Sequence, residues 1–127
     1  PPIRTEEDRL SLIDGLLSNV IDAIATDHAP HPENTKTVDF KSAARGVVGL
    51  ESAFPMLYSS GILSLEEIKR FMIENPRKIL SEAGYEVKKS QINIWQPCDK
   101  EFTTKSKFNN SIFEKRNTKI EKVSQNV

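Results

Sequence analysis

The sequence predicts an α/β chain, and three observations predict it. A capped helical pattern over residues 5–18 leads into a short apolar stretch at residues 21–25. That stretch gives way at once to polar residues, as a buried strand does where it emerges. Two later capping signals, Ser64 with Glu67 and Asn75 before Pro76, announce further helices. A helix feeding a buried strand, followed by more helices, is the alternation of α/β proteins.

Each element has its own grounds. Thr5 and Asp8 stand as in a capping box, and Leu10, Ile13 and Leu17, with Leu12 and Leu16 beside them, form one apolar helix face. Gly15 inside that helix weakens it. Residues 26–46 form a long polar loop with two prolines, a length usually tied to function or disorder. From Gly49 a second helix is expected, with Leu50, Phe54, Leu57 and Tyr58 at helical spacing, Pro55 kinking it or sitting in its first turn, and Gly61 ending it. Ser64 and Glu67 make a full capping box for a helix whose face is Leu65, Ile68, Phe71 and Met72. Asn75 then reads as the N-cap of a further short helix, with Pro76 at its first position and Gly84 as its stop. Residues 92–95 read as a strand, Gln96-Pro97 as a turn, and residues 102–104 as another possible strand. The remainder has weak periodicity and reads as irregular.

Composition narrows the function classes. The 127 residues are 37% hydrophobic and 28% charged, which is globular composition and enough for one domain. Eighteen basic and eighteen acidic residues cancel, which argues against a dedicated nucleic-acid binder. No apolar run is long enough to span a membrane, and no signal peptide is visible. The single Cys98 excludes an internal disulfide and suits a reducing, cytoplasmic setting. It reads as a buried or half-buried small side chain. The Pro1-Pro2 start, without Met, suits an excerpt of a longer chain.

The chemistry-bearing residues gather in "IDAIATDHAPHP", which holds both histidines of the chain, His28 and His31. Asp27 follows the expected strand directly. In barrels and open α/β sheets catalytic groups collect at that strand end. A carboxylate there can bind a divalent metal through oxygen or move a proton. His31, held beyond Pro30, could bind an anionic group. Each residue also has a structural alternative: Asp27 as a turn former or cap, His28 as a hydrogen-bonding histidine, His31 as a surface histidine. Two His and one Asp do not complete a two-metal site.

"IDAIATDHAPH" followed by "ARGVVGLESAFPMLY" resembles the C-terminal part of the dihydroorotase family, within the amidohydrolase superfamily. The resemblance starts at "PPIRTEEDRLSLIDGL", the approach to the last barrel strand. It runs through "ENPRKIL", the helix after the barrel, and persists in "INIWQPCDKEFTTKSKFNNSIF", a return to a small β region. The fold it implies is the C-terminal portion of a (β/α)8 amidohydrolase barrel over residues 1–84, with part of an appended β region and an irregular tail over 85–127. Such a barrel takes about 250 residues in full.

The resemblance implies zinc-dependent interconversion of N-carbamoyl-L-aspartate and L-dihydroorotate in pyrimidine biosynthesis, by attack of a zinc-bound hydroxide on the ring amide. Asp27 would be both a zinc ligand and the general acid/base. His31 would bind the substrate carboxylate, and Arg45 and Gly46 would touch substrate from the flanking loop. The remaining zinc ligands are expected upstream. Hydantoinases and allantoinases share the fold but usually lack the second His of "DHAPH". The chain departs from the family at Arg45, where many relatives carry an aromatic residue. It departs again at "NIWQP", where Asn93 replaces an acidic residue, and in a tail poor in glycine. The isolated chain is expected to be marginally stable and inactive. A homo-oligomer or a complex with aspartate carbamoyltransferase is compatible with the resemblance. The alternative is a non-catalytic partner subunit or truncated relic of the same family.

Overall fold

The computed structural model describes residues 3–87, 94–102 and 116–123. They fall in two compact units, Pro1–Ala25 with Lys69–Lys88 and Thr26–Ile68 with Lys89–Val127.

The first unit opens with α1, Glu6–Leu17. Its capping box forms as expected: Asp8 N–H donates to Thr5 Oγ1 at 3.1 Å, and Thr5 N–H donates to Asp8 Oδ2 at 3.2 Å. Three acidic residues in its first turn suit the positive end of the helix dipole. Gly15 has a purpose here. A Cβ on it would meet Ile21 Cδ1 at 3.0 Å, and its carbonyl accepts the N–H groups of both Val20 and Ile21 at 2.9 Å. The missing side chain lets the outgoing chain fold tightly back on the helix.

Residues 21–25 do not form the expected strand. A strand needs a neighbour to exchange ladder hydrogen bonds. Among the described residues this segment meets a helix instead, through Ile24 N–H donating to the Phe71 carbonyl at 3.0 Å. No barrel strand appears among the described residues.

The reason Phe71 can accept that bond lies in Pro76. The helix at residues 65–82 does not stop at Asn75. It runs from α3, Leu65–Lys69, through a π-helical turn, Arg70–Glu74, into α4, Asn75–Glu82. Asn75 N–H donates to the carbonyl of Arg70, five residues back. In that register the Phe71 carbonyl would await an N–H from residue 76, which proline lacks. Ile24 supplies it instead. The wide turn also relieves the clash of the proline ring with the preceding turn.

Asn75 therefore is not the N-cap its position before proline suggested. Its side-chain amide donates to the Asp22 carbonyl at 2.7 Å, a second tie to the same extended segment. Lys69 and Glu74, five apart, pair at 3.3 Å across the π turn. Phe71 is fully buried, and Gly84 follows the end of α4 as expected.

The second unit holds the long loop, α2 (Ala53–Ser60) and the start of α3. Pro55 sits buried in the first turn of α2 and does not break it, since that turn needs no intrahelical donor. Gly61 ends α2 in the left-handed conformation. Phe54 and Tyr58, one turn apart, bring their rings to 6.2 Å. The Ser64–Glu67 box forms, with Ser64 N–H donating to Glu67 Oε2 at 2.7 Å and Glu67 N–H donating to Ser64 Oγ at 3.3 Å. Val48, Ser52, Leu63 and Ile68 are buried. Of the face predicted for this helix, Ile68 is buried while Leu65 is exposed.

The same unit contains an antiparallel pair, β1 (Ile94–Phe102) and β2 (Arg116–Val123), with β2 beside α2. Two expectations fail here. Gln96-Pro97 is not a turn but part of β1, with the register shifting between Pro97 and Lys100. Proline fits because in a two-stranded sheet every strand is an edge, and an irregularity takes up its missing donor. The tail is also not irregular throughout, since β2 forms within it. The alternation in "RNTKIEKV" is carried largely by charged residues, so its strand signal is weak. Residues 92–93 and 103–104, also read as strand, lie outside the described residues. Cys98 is half-buried, as expected.

Candidate active site

The "TDHAPH" segment and the "RGVVGLE" segment are joined side by side. His28 and Val47 form a parallel bridge, and Ala29 N–H donates to the Val47 carbonyl at 2.9 Å. Two small residues allow this closeness. Gly49 is buried against Thr26, where a Cβ would meet the Thr26 carbonyl oxygen at 3.3 Å. Gly46 has φ +111°, and a Cβ there would meet the Ala29 Cβ at 2.4 Å. Only glycine satisfies both the backbone angle and the space.

The loop between the two segments is folded rather than slack. A 3-10 turn, Glu33–Thr35, follows Pro32. Ala44 N–H donates to the Thr35 carbonyl at 2.9 Å. Lys36 Nζ donates to the carbonyls of Ala44 and Gly46 at 2.6 and 3.0 Å, binding the loop's end to its middle. Sequence reasoning did not single out Lys36. A lysine in a polar loop carries no signal of such a role. At the outer turn, Asp39 accepts the N–H groups of Lys41 and Ser42. Hydrogen bonding, first from the Ser42 side chain, holds its carboxyl below the usual carboxylate range.

The expected site residues take these places. Asp27 has φ +47°, a left-handed conformation that costs a non-glycine residue about 1 kcal/mol or more, and its side chain is exposed. His31 is half-buried between Pro30 and Pro32. Arg45 is exposed beside Gly46. The bridge therefore brings the Asp27 segment and Gly46 together. Neither the Asp27 carboxylate nor the Arg45 guanidinium joins a hydrogen bond or ion pair among the described residues.

His28 is a hydrogen-bonding histidine, the structural role its type suggests. Its Nδ1 accepts the N–H groups of Gly49 and Leu50 at 3.1 and 3.3 Å. An accepting Nδ1 places the ring proton of the neutral imidazole on Nε2.

The described residues do not by themselves build a zinc site. No three His, Cys, Asp or Glu side chains among them converge as metal ligands, and His28 Nδ1 is committed to backbone donors. Asp27 offers one oxygen donor where a zinc site with an open position takes three protein ligands.

No family model matches the chain. Among curated relatives, it is 39% identical to a dihydroorotase of Ehrlichia canis over 94% of this chain and 29% of that protein. It is 50% identical to a dihydroorotase of Bacillus subtilis over 60% of this chain and 19% of that protein. In fold, it resembles the crystal structure of a dihydroorotase from Campylobacter jejuni, with a TM-score of 0.69, 19% identity, and coverage of 95% of this chain and 35% of that one. The chain thus spans less than a third of the length of the curated relatives named here. It is a homologue of the dihydroorotases, matching them over most of its own length and a part of theirs.

Proposed function

We propose that this chain is the C-terminal part of a zinc-dependent dihydroorotase, interconverting N-carbamoyl-L-aspartate and L-dihydroorotate in pyrimidine biosynthesis. The observation that carries the proposal is the bridge between "TDHAPH" and "RGVVGLE". It sets an exposed carboxylate at Asp27 next to a loop whose glycine allows close approach, in a homologue of dihydroorotases. In this reading residues 21–25 are the last strand of a (β/α)8 barrel and take their ladder partners from outside the described residues.

Asp27 acts as the general acid/base. In hydrolysis its carboxylate accepts the proton of the attacking water and returns it to the ring nitrogen that leaves the opened amide. His31 donates a hydrogen bond to the substrate carboxylate, which an amide ring without that group lacks. Gly46 brings its backbone against the substrate, and Arg45, exposed beside it, faces the same anionic molecule. Asp27 would be one ligand of a zinc ion whose other ligands would lie outside the described residues. The setting is cytoplasmic, with a homo-oligomer or aspartate carbamoyltransferase as the assembly partner.

The experiment is a substrate comparison in the longest natural form of the protein that contains this segment. Hydrolysis of L-dihydroorotate is expected, with hydantoin and allantoin untouched. Substituting His31→Ala is expected to raise KM for dihydroorotate more than it lowers kcat. No turnover of dihydroorotate in either direction would favour the non-catalytic partner subunit.

A further inference from the structure

We propose that His28 is a positioning residue for Asp27: its Nδ1 accepts the Gly49 and Leu50 N–H groups and so locks the Asp27 backbone against the Gly46 loop. The inference rests on reading Asp27 as the acid/base group.

The two donors stand where the chain turns into α2. Ala53 N–H donates to the Gly49 carbonyl at 2.9 Å, closing a single turn just before α2, whose N-cap is Ser52. N–H groups at the start of such a turn have no partner within it and need an outside acceptor. Here the acceptor comes from a residue 21 positions earlier, directly after Asp27. These two bonds therefore tie the two segments of the candidate site together.

Asp27 has its C-terminal neighbours fixed on three counts. His28 N–H donates to Thr26 Oγ1 at 3.3 Å, the His28 ring holds the turn before α2, and Ala29 N–H donates to the Val47 carbonyl. A non-glycine residue persists at positive φ only when its surroundings over-determine it. Without the imidazole acceptor, the strongest side-chain tie next to Asp27 is gone. The backbone then relaxes toward ordinary φ, and the carboxylate turns away from its direction.

The test uses three forms of the chain: wild type, His28→Ala and His28→Asn. Asparagine presents its Oδ1 where histidine presents Nδ1, so it restores the acceptor without the ring. In His28→Ala the amide protons of Gly49 and Leu50 are expected to exchange about tenfold faster, the effect of one lost hydrogen bond each. The HN–Hα coupling of Asp27 is expected to leave its positive-φ value while amides of α1 stay unchanged. His28→Asn is expected to restore both. In the longest natural form of the protein, kcat is expected to fall in His28→Ala with KM less affected, and to recover in His28→Asn.

Unchanged exchange at Gly49 and Leu50 in His28→Ala overturns the proposal, as does a folded His28→Asn no better than alanine. If His28→Ala does not fold, the wild-type ring decides by its nitrogen shifts: a proton on Nε2 supports the proposal, and a proton on Nδ1 overturns it. The exchange result stands apart from the activity. A wild type that leaves dihydroorotate untouched would sink the functional reading while the exchange still decides the tie.

Discussion

The carbonyl of Phe71 accepts a hydrogen bond from Ile24, which lies outside its helix. The bond exists because the π turn hands that carbonyl to residue 76, and Pro76 has no N–H to give. Substituting Pro76→Ala restores a donor on the helix. The expected outcome is a return of residues 70–74 to α-helical register, with Ile24 N–H losing its acceptor. Its amide proton should then exchange about tenfold faster, while amides in the middle of α1 hold their rates. An unchanged Ile24 would show that the π turn has another cause.

Gly46 is the tightest point of the candidate site. Gly46→Ala adds a Cβ into the place of the Ala29 Cβ and forces an L-residue to φ +111°. The expected loss of stability is about 2 kcal/mol or more, read as a lower urea midpoint. The local consequence is more specific: the Ala29 N–H bond to Val47 should open, because the two segments can no longer approach. Gly61→Ala serves as the comparison. It has positive φ too, but nothing within 4 Å of an added Cβ, so it should cost less.

Asp39 supplies a pH dependence with a definite sign. Its carboxyl is held below the usual carboxylate range by Ser42 first and the Lys41 and Ser42 N–H groups after it. A carboxyl lowered in the folded state stabilises the fold above its unfolded value. That contribution fades as pH falls through the usual range toward the lowered value. Asp39 is fully exposed, so the effect is local. Amide exchange at Lys41 and Ser42 should rise on acidification below the usual carboxylate range, relative to the exchange of free peptide. Asp39→Asn should remove that pH dependence.

Much of this was legible in the sequence, for identifiable reasons. The Thr5–Asp8 and Ser64–Glu67 boxes are local patterns, and both formed. The "TDHAPH" segment stood out because both histidines gather beside an aspartate. What escaped depended on distant partners. A strand at residues 21–25 was readable as apolar and short, but its pairing is not written in those residues. Asn75-Pro76 looked like a helix start, since nothing local tells that a π turn will carry the helix through the proline. His28 was readable as a hydrogen-bonding histidine, but its partners, and those of Lys36, are backbone groups further along the chain, which no spacing rule reports. The pairing of β1 with β2 joins one strand containing a proline to another dominated by charge. Both features weaken a strand pattern in sequence.

We propose Asp27 as the proton-carrying group of a dihydroorotase. The most direct measurement is the rate of L-dihydroorotate hydrolysis by the longest natural form of the protein, with Asp27 intact and as Asp27→Ala. Turnover by the intact protein is expected, with a loss of about a hundredfold or more on substitution and the fold unchanged because the Asp27 side chain is exposed. A folded Asp27→Ala protein hydrolysing dihydroorotate at the full rate would contradict it.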